Sequence, residues 1–407
     1  MSMKNNLSFE EARALLLEKV GSVGTEILPP EVCGGRILAR PAAAVMDVPP
    51  FDRSPYDGYA FRACDSAGAS RETPVTLRVL EEVPAGSLPG FAVSEGTAVR
   101  IMTGAPIPAG ADAVVMYEKT EFTAETVTLF VPARAGENIV RAGEDVRKGE
   151  SLAEAGSLVD AGTLGTLASQ GFSALEVYRK PRVGVISTGS ELIELGEPPQ
   201  EGKIYNSNRY TFSALLKEAG CEPVWLGSAG DRAETISGLI RTGMETCDAV
   251  ILTGGVSAGD YDLTPAAMEA CGAEIFFRRV DMKPGMACCF GMAKEKLLCG
   301  LSGNPAAAMT AFYAVALPAL KKLCGHRFCL PREVTVTLLE GFYKKSPVTR
   351  LLRGTLVLTD GEVRMALSPK QGNGVLSSAM GCDAMAVIPA GSGPLASGTK
   401  LKGFILK

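Results

Sequence analysis

The chain has 407 residues, of which 46% are hydrophobic and 21% are charged, and its formal net charge at pH 7 is −4. This length predicts two to four domains of a globular protein, since one hydrophobic core rarely serves so long a chain. The slight excess of acidic residues argues against a basic nucleic-acid-binding surface.

The first predicted element is an N-terminal helix. Ser8 and Glu11 fit a capping box, and apolar residues then recur at helical spacing, at Phe9, Ala12, Leu15, Leu16 and Val20. Acidic residues inside this segment do not fit the apolar centre of a secretory signal. The longest apolar run, residues 306–320, contains Thr310 and Pro318 and is too short to cross a bilayer. We therefore expect a cytoplasmic protein without membrane contact.

The next segment predicts a small β domain. Residues 51–140 are rich in Gly, Pro and Thr and alternate like a strand, for example at 75–79. Residues 141–180 return to loops and a short helix near 161–170. The sequence permits the β domain of 51–140 to be inserted into a discontinuous linking domain of 1–50 and 141–180.

Residues 181–327 predict an α/β domain with a parallel sheet. Short continuous apolar runs at 183–186, 249–252 and 297–301 each end in a glycine-rich polar loop, and helical patterns such as 210–219 lie between them. Continuous apolar strands alternating with helices indicate a parallel sheet that is buried on both faces. Because ligands of such sheets bind beyond the carboxyl ends of the strands, we expect the polar loops to form the site.

The remaining residues, 328–407, predict a small β-barrel, or the related sandwich, from strand-like runs at 333–339, 355–358, 362–366 and 384–388. The overall fold class is therefore a multidomain protein: a central α/β domain, an inserted small β domain and a C-terminal small β-barrel.

Cysteine and histidine usage narrows the chemistry. The eleven cysteines are an odd number and none has Cys-x-x-Cys spacing, which disfavours zinc ribbons and redox dithiols. Cys288, Cys289 and Cys299 lie in apolar contexts and are expected to be buried, reduced thiols. With His326 as the only histidine, carboxylates and lysines must carry the polar chemistry.

A glycine loop follows the second apolar run of the α/β domain. Gly254, Gly255, Ser257 and Gly259 would let backbone N–H groups approach a phosphate or another anion. The alternative is an ordinary tight turn between a strand and a helix. The spacing matches neither the dinucleotide-binding fingerprint nor the Walker loop.

Carboxylates accompany these loops. Glu191 follows the first apolar run, Asp231 follows Gly230, and Asp262 follows the glycine loop. Carboxylates beside a phosphate site suit Mg²⁺, which takes one or two of them together with substrate phosphate and water. The alternatives are a helix cap for Asp231 and a charge in a first helical turn for Glu191.

Asp57 stands in an Asp-Gly turn between two tyrosines, where its carboxylate could hold a metal or orient a water. An ordinary hairpin turn is the alternative.

Cations and a helix start complete the candidate site. Lys283, in Lys-Pro-Gly, would meet an oxyanion as a point charge, and its alternative is a solvated turn. Gly303, Asn304 and Pro305 precede a long apolar helix, with Asn304 as N-cap and Pro305 at N1. Arg350, with Arg353, could clamp an oxyanion or form a solvated strand edge.

Together, these segments resemble the MoeA family of molybdopterin molybdenumtransferases, the relatives of the gephyrin E domain. The matching motifs occur in family order at residues 54–60, 100–108, 187–192, 253–262, 283–285 and 303–305. The resemblance covers nearly the whole chain, and it implies the inserted topology and a cytoplasmic enzyme of molybdenum cofactor synthesis. Such an enzyme inserts molybdate into adenylylated molybdopterin and releases AMP.

The resemblance also implies roles for residues. The catalytic set carried over is Asp57, Thr103, Glu191, Asp231, Asp262 and Lys283, with Asp57, Glu191 and Asp262 as Mg²⁺ ligands. The set for the pterin and the oxyanion is Gly254, Gly255, Ser257, Gly259, Gly303, Asn304, Pro305 and Arg350. A homodimer is implied, in which the β domain of one subunit supplies Asp57 and Thr103 to the other, and a molybdopterin adenylyltransferase is a candidate partner.

The chain departs from the family pattern at two positions. Met286 stands where the family has a second lysine, and Ala307 stands where it has a serine. Both changes remove polar groups expected near the oxyanion. The alternatives left open are the adenylyltransferase step and a non-catalytic pterin carrier or scaffold, and the sequence does not choose between molybdate and tungstate.

Overall fold

The structure, a computed structural model, describes residues 7–257, 262–359 and 361–406. The chain divides into two compact units. The first draws on Met1–Arg40, Ala155–Asp160 and Ala174–Lys407, and the second on Pro41–Glu154 and Ala161–Ser173. The chain thus leaves the first unit twice and returns twice. The division into four domains described under the sequence stays a prediction.

The helices of the described residues are α1 to α7, in chain order Phe9–Lys19, Ala161–Ser169, Ser207–Glu218, Ala233–Thr246, Thr264–Ala270, Pro305–Ala311 and Leu317–Leu323. A π-helical stretch, Phe312–Ala316, joins α6 to α7, so the predicted long apolar helix is one buried helical segment.

The strands of the described residues are β1 to β24. In chain order they are Thr25–Leu28, Ala42–Ala43, Gly58–Phe61, Val75–Val83, Thr97–Ile101, Ala113–Met116, Thr120–Phe122, Thr126–Leu129, Ser151–Ala153, Leu175–Tyr178, Arg182–Thr188, Leu192–Ile193, Ile204–Tyr205, Glu222–Ala229, Ala249–Thr253, Glu274–Arg279, Met282–Lys283, Ala287–Ala293, Lys296–Leu301, Glu333–Leu338, Thr349–Thr359, Glu362–Leu367, Ala384–Ile388 and Lys400–Ile405.

Helix α1 has the predicted capping box. The backbone N–H of Glu11 donates to Ser8 Oγ at 3.1 Å, and the N–H of Ser8 donates to Glu11 Oε2 at 2.9 Å. These bonds satisfy two backbone donors that the first turn leaves without helical partners. The helix then buries Phe9, Ala12 and Leu16 in the larger core of the first unit.

The central sheet of the first unit has the strand order β14-β11-β15-β19-β18-β16. The first four strands are parallel; β11, β15 and β19 are the three predicted runs, and β14 was not predicted. Alternate residues of one strand enter opposite cores: Ile251 packs in one and Val250 and Leu252 in the other. The sheet is therefore buried on both faces. Beyond β19, the strands β18 and β16 extend the sheet with antiparallel pairing. A two-residue turn, Lys294 and Glu295, joins β18 to β19, and both of its residues have positive φ.

The C-terminal part of the first unit is a small barrel. Strands β21, β22, β20, β24 and β23 are paired in that order, and β23 pairs back with β21, which closes the barrel. Strand β17 adds to β21, placing Lys283 opposite Arg350. The predicted barrel is confirmed, although the run at 355–358 is only the second half of the eleven-residue strand β21.

The second unit is mainly β, built on a sheet of order β6-β3-β5-β4-β8-β7 with a smaller pair, β2 and β9. Its two cores contain Tyr59 and Phe61 on one side, and Ala60 and Val99 on the other. Strand β3 begins at Gly58, where a Cβ atom would overlap the carbonyl of Val115, so only glycine fits after Asp57. In neither unit does a described helix have the length and apolarity to cross a membrane.

Candidate functional site

A cleft of 1570 Å³ lies in the first unit, where the parallel strands β11, β15 and β19 end. It is bordered by the loops that follow all three strands, as expected for ligand sites in such sheets. Ten of the predicted site residues border it: Glu191, Asp231, Gly254, Gly255, Ser257, Asp262, Lys283, Gly303, Asn304 and Pro305. Met286, one of the two departures from the family pattern, borders it too. Ala307, the other departure, borders it as well.

The glycine loops after β15 and β19 touch each other. Gly254 donates its N–H to the Leu301 carbonyl at 2.9 Å, and a Cβ on Gly303 would lie 3.4 Å from Gly254 Cα. Gly254 has a φ of +101°, and a Cβ there would lie 2.5 Å from Thr188 Oγ1. Gly254 is therefore a buried, tightly packed glycine that fixes the turn after β15 against the loop after β19. Gly259, also predicted for this loop, lies outside the described residues.

The carboxylate of Glu191 packs against the backbone of Gly189. A Cβ on Gly189, whose φ is +143°, would lie 2.7 Å from Glu191 Oε1. The carbonyl of Glu191 accepts a hydrogen bond from the N–H of Ile204 at 2.9 Å. Glu191 is followed by β12 and not by a helix, so the alternative reading as a charge in a first helical turn is wrong.

Asp231 has a hydrogen-bond partner in the same cleft. Ser190 Oγ donates to Asp231 Oδ2 at 2.8 Å, and Lys203 Nζ donates to the Ser190 carbonyl at 2.5 Å. The N-cap position of α4 is held by Arg232, so the helix-cap alternative for Asp231 is wrong. The carboxylate is therefore held by the loop that follows β11.

The predicted metal set is not assembled as a closed cluster of protein ligands. Within the described ranges, no group of three or more His, Cys, Asp or Glu side chains could hold a metal ion. Glu191, Asp231 and Asp262 nevertheless border one cleft. This arrangement suits a cation that takes most of its ligands from a bound phosphate and water.

Of the predicted cations, Lys283 borders the cleft and Arg350 does not. Arg350 donates from Nε to Ser346 Oγ at 3.2 Å, and its guanidinium lies over the Phe342 ring. Arg353, three residues on, is fully buried and donates from Nη2 to the Gly372 carbonyl at 3.4 Å. Because Asn373 and Gly374 border the cleft, Arg353 supports a loop of its wall.

Asn304 is the N-cap of α6 and Pro305 is its first residue, as predicted. The side chain of Asn304 makes no capping hydrogen bond. The N–H of Ala307 donates to the Asn373 carbonyl at 3.0 Å. The start of this helical segment is thus bound to the same loop that Arg353 supports.

Asp57 and Thr103 belong to the second unit. The backbone N–H and the hydroxyl of Thr103 both donate to Asp57 Oδ1, at 2.7 and 2.8 Å. These two hydrogen bonds hold the pKa of the fully exposed Asp57 carboxyl below its usual value. The pair presents a fixed, ionised carboxylate to solvent.

Sequence reasoning missed several residues of the cleft. Ile204 and Tyr205, which form the two-residue strand β13, border the cleft. Arg278 and Glu269 border it as well and form an ion pair with each other at 2.5 Å. Asn373 reaches the cleft from the barrel. The dense glycines at 372 and 374 were the one available signal for that loop, whereas strands as short as β13 have no periodicity to detect.

The sequence matches three family models in succession. They are the MoeA N-terminal region (domain I and II) at residues 7–171, the probable molybdopterin binding domain at 184–322, and the MoeA C-terminal region (domain IV) at 335–402.

Among curated relatives, the molybdopterin molybdenumtransferase of Staphylococcus aureus (strain Mu50 / ATCC 700699) is 36% identical over 389 residues, covering 96% of this chain and 93% of that protein. The molybdopterin molybdenumtransferase of Staphylococcus epidermidis (strain ATCC 12228 / FDA PCI 1200) is 38% identical over 358 residues, covering 88% and 85%.

A solved structure agrees over the full length. The crystal structure of the molybdopterin biosynthesis MoeA protein from Pyrococcus horikosii has a TM-score of 0.84 at 30% identity and covers 99% of this chain and 100% of that one. A molybdenum cofactor biosynthesis protein from Pyrococcus furiosus shares the fold, with a TM-score of 0.60 at 18% identity over 98% and 100% of the chains.

Proposed function

Because the chain belongs to the MoeA family of molybdopterin molybdenumtransferases, we propose that it inserts molybdate into adenylylated molybdopterin and releases AMP. The observation that carries this proposal is the cleft itself. It brings the carboxylates of Glu191, Asp231 and Asp262, the cation of Lys283 and two glycine loops to one edge of the sheet. The glycine loops suit a phosphate ester, the carboxylates suit a metal ion on a phosphoanhydride, and the lysine suits an oxyanion.

The glycine loops are the proposed binding place of the pterin phosphate. Backbone N–H groups bind phosphate where side chains are absent. Gly254 leaves no room for a Cβ and, through its own N–H bond to the Leu301 carbonyl, holds the two loops together, so the residues that follow it would present the N–H groups. Ser257 and Asn304 border the same region and add polar side chains. Gly255, half-buried and with a φ of +63°, follows Gly254 in the same loop.

Lys283 is the proposed ligand of the oxyanion. Its ammonium is exposed in the cleft, and Met286 and Ala307 border the cleft as well. A fixed cation stabilises an oxyanion without reorganising during the reaction. Arg353 acts by supporting the loop that carries Asn373, and the direct role first assigned to Arg350 is not supported by its contacts with Ser346 and Phe342.

Mg²⁺ would be bound at this site by oxygens of both the protein and the substrate. Glu191 and Asp262 would hold it, with the phosphates of the substrate supplying further oxygens. When bound, Mg²⁺ would polarise the phosphoanhydride and shield its charge. The Ser190 hydroxyl keeps Asp231 in place beside these groups through its hydrogen bond to Oδ2.

A homodimer would complete the site. We assign to Asp57 and Thr103 of one subunit a place at the cleft of its partner, where the ionised Asp57 carboxylate would position water or a metal ion. The exposed carboxylate, held by two hydrogen bonds that its own unit provides, supports this role. Two-fold dimers are also the commonest closed assemblies.

Subunit mixing tests the shared site. Asp57→Asn and Glu191→Gln homodimers should each be inactive, and dimers refolded from an equal mixture should regain about a quarter of wild-type activity: half of the dimers are mixed, and each has one intact site. Light scattering that shows a monomer at assay concentration, or mixed dimers as inactive as their parents, would exclude sharing.

Metal transfer tests the function. Purified protein is incubated with adenylylated molybdopterin, Mg²⁺ and either molybdate or tungstate, and the recovered pterin is analysed for bound metal. Metal-loaded pterin is expected with at least one oxyanion. Tight substrate binding without metal transfer would instead support a carrier, and AMP transfer from ATP to molybdopterin would support the adenylyltransferase reaction.

Two further assignments follow from the same proposal. A molybdopterin adenylyltransferase would be the partner that supplies the substrate. The cytoplasm would be the compartment, since the structure has eleven free cysteines and the buried ones, such as Cys288 and Cys299, are suited to a reducing environment.

A further inference from the structure

Two exposed hydrophobic side chains, Ile204 and Tyr205, form the apolar wall of the cleft. Of the large hydrophobic side chains that border the cleft in the described part of the chain, Ile204 and Tyr205 are the two that stand more than a third exposed, at 58% and 39%. Val256 is buried in the core, whereas Met286 and Leu376 are half-buried. An exposed isoleucine and tyrosine at a binding cleft provide an apolar surface that water leaves readily when a ligand arrives.

The ring of Tyr205 is fixed in place. Its hydroxyl donates to the Glu197 carbonyl at 2.9 Å, and its strand, β13, pairs in parallel with β12. The next residue, Asn206, is buried and caps α3 by accepting a hydrogen bond from the Arg209 N–H at 3.1 Å. A ring whose hydroxyl and backbone are both held loses little conformational entropy when a ligand binds to it.

The strand is also bound directly to the proposed reaction site. The N–H of Ile204 donates to the Glu191 carbonyl at 2.9 Å, and Lys203 Nζ donates to the Ser190 carbonyl at 2.5 Å. Ser190 in turn holds Asp231. Ile204 of the apolar wall is therefore hydrogen-bonded directly to Glu191, and its neighbour Lys203 is hydrogen-bonded to Ser190, which holds Asp231.

We propose that Tyr205, with Ile204 beside it, binds a planar heteroaromatic ring of the substrate by stacking, and so fixes the substrate relative to Glu191 and Asp231. This inference rests on the proposed function, which supplies a substrate with two such rings, the purine of the adenylyl group and the pterin. Aromatic side chains stack on either ring because every heteroaromatic base has a π face.

Binding measurements with ring-bearing and ring-free ligands test the proposal. Dissociation constants are measured by calorimetry for AMP, molybdopterin and ribose 5-phosphate with the full-length protein. Tyr205→Leu should weaken either AMP or molybdopterin about tenfold, the lower end of the range for losing one stacked ring. The affected ligand identifies the ring, and ribose 5-phosphate should change less than twofold.

Three variants separate stacking from other effects. Tyr205→Phe keeps the ring and removes the hydroxyl, so it should bind both ligands within about threefold of wild type. Tyr210→Leu is the matched control, because Tyr210 is similarly exposed, at 42%, and does not border the cleft. If Tyr205→Leu does not fold, Ile204→Ser takes its place, with an expected weakening of about threefold in the same ligand.

The outcomes also separate this inference from the proposed function. If AMP and molybdopterin bind wild type and both bind Tyr205→Leu within twofold, the stacking role is wrong and the proposed function stands. If the tyrosine effect is found but no metal is ever transferred, the ring site stands and the transferase reaction does not. If wild type binds neither ligand, both are wrong.

Discussion

Thr103 makes two hydrogen bonds to a single oxygen of Asp57, one from its backbone N–H at 2.7 Å and one from its hydroxyl at 2.8 Å. Residues 46 positions apart are thereby joined on the surface of the second unit. Because the N–H and the hydroxyl both favour the charged form, the Asp57 carboxyl has a pKa below its usual value. These hydrogen bonds bring the sequence motifs 54–60 and 100–108 together in the folded protein.

Asp57→Asn should leave folding intact and reduce turnover at least about 100-fold, the usual scale for a positioned acid–base group. The amide keeps the shape and can still accept from Thr103, but it carries no charge. Steady-state kinetics and thermal unfolding measure the two effects. The control is Glu118→Gln, another exposed carboxylate of the same unit. Near wild-type turnover would make Asp57 a plain turn residue.

Thr103→Val should raise the pKa of Asp57 toward its usual value, because the hydroxyl donor is lost while the backbone donor remains. A depressed folded-state pKa contributes stability that is present above the unfolded-state value and is lost as pH falls through the folded-state value. The variant should therefore begin to lose the ionised form at higher pH than wild type. Carboxyl NMR titration measures the shift directly. An unchanged titration would mean that the backbone bond alone sets the pKa.

Met286→Lys combined with Ala307→Ser should lower the apparent KM for molybdate. Both positions border the cleft, and both side chains are apolar where the family resemblance implies a lysine and a serine. A hydrogen bond to a charged group is worth about 1.5–3 kcal/mol, which corresponds to roughly a ten- to hundredfold change in affinity. Molybdopterin affinity should stay within about twofold. An unchanged molybdate dependence would show that these positions do not face the oxyanion.

Gly254→Ala should impair both folding and substrate binding. A Cβ would overlap the Thr188 carbonyl, and the φ of +101° strains any residue with a side chain. Gly238→Ala is the matched control, since Gly238 lies within α4 with open space around it, and alanine there should stabilise the protein by about 0.5–1 kcal/mol. Equal unfolding midpoints for the two variants would contradict the packed glycine loop.

The sequence was sufficient for three of the four parallel strands, β11, β15 and β19, because their apolar runs are continuous and end in glycine loops. It did not predict β14, whose run is interrupted by Pro223 and Gly227 and is mostly half-buried. It did not predict the antiparallel extension of the sheet, because Lys294 and Glu295 adopt positive φ without the Gly or Asn that normally signals such a turn. The contact of Ser190 with Asp231 joins loops 41 residues apart, and local patterns do not report such pairs. The position of Tyr205 depends on a two-residue strand, which leaves no period to read.

The most direct test of the central claim is the release of AMP from adenylylated molybdopterin by the purified wild-type protein, with Mg²⁺ present and with or without molybdate or tungstate. We predict that AMP appears in proportion to the metal-loaded pterin and only when Mg²⁺ and one of the two oxyanions are both added. Release of AMP at the same rate without any oxyanion, or no release under any condition, would contradict metal insertion at this cleft.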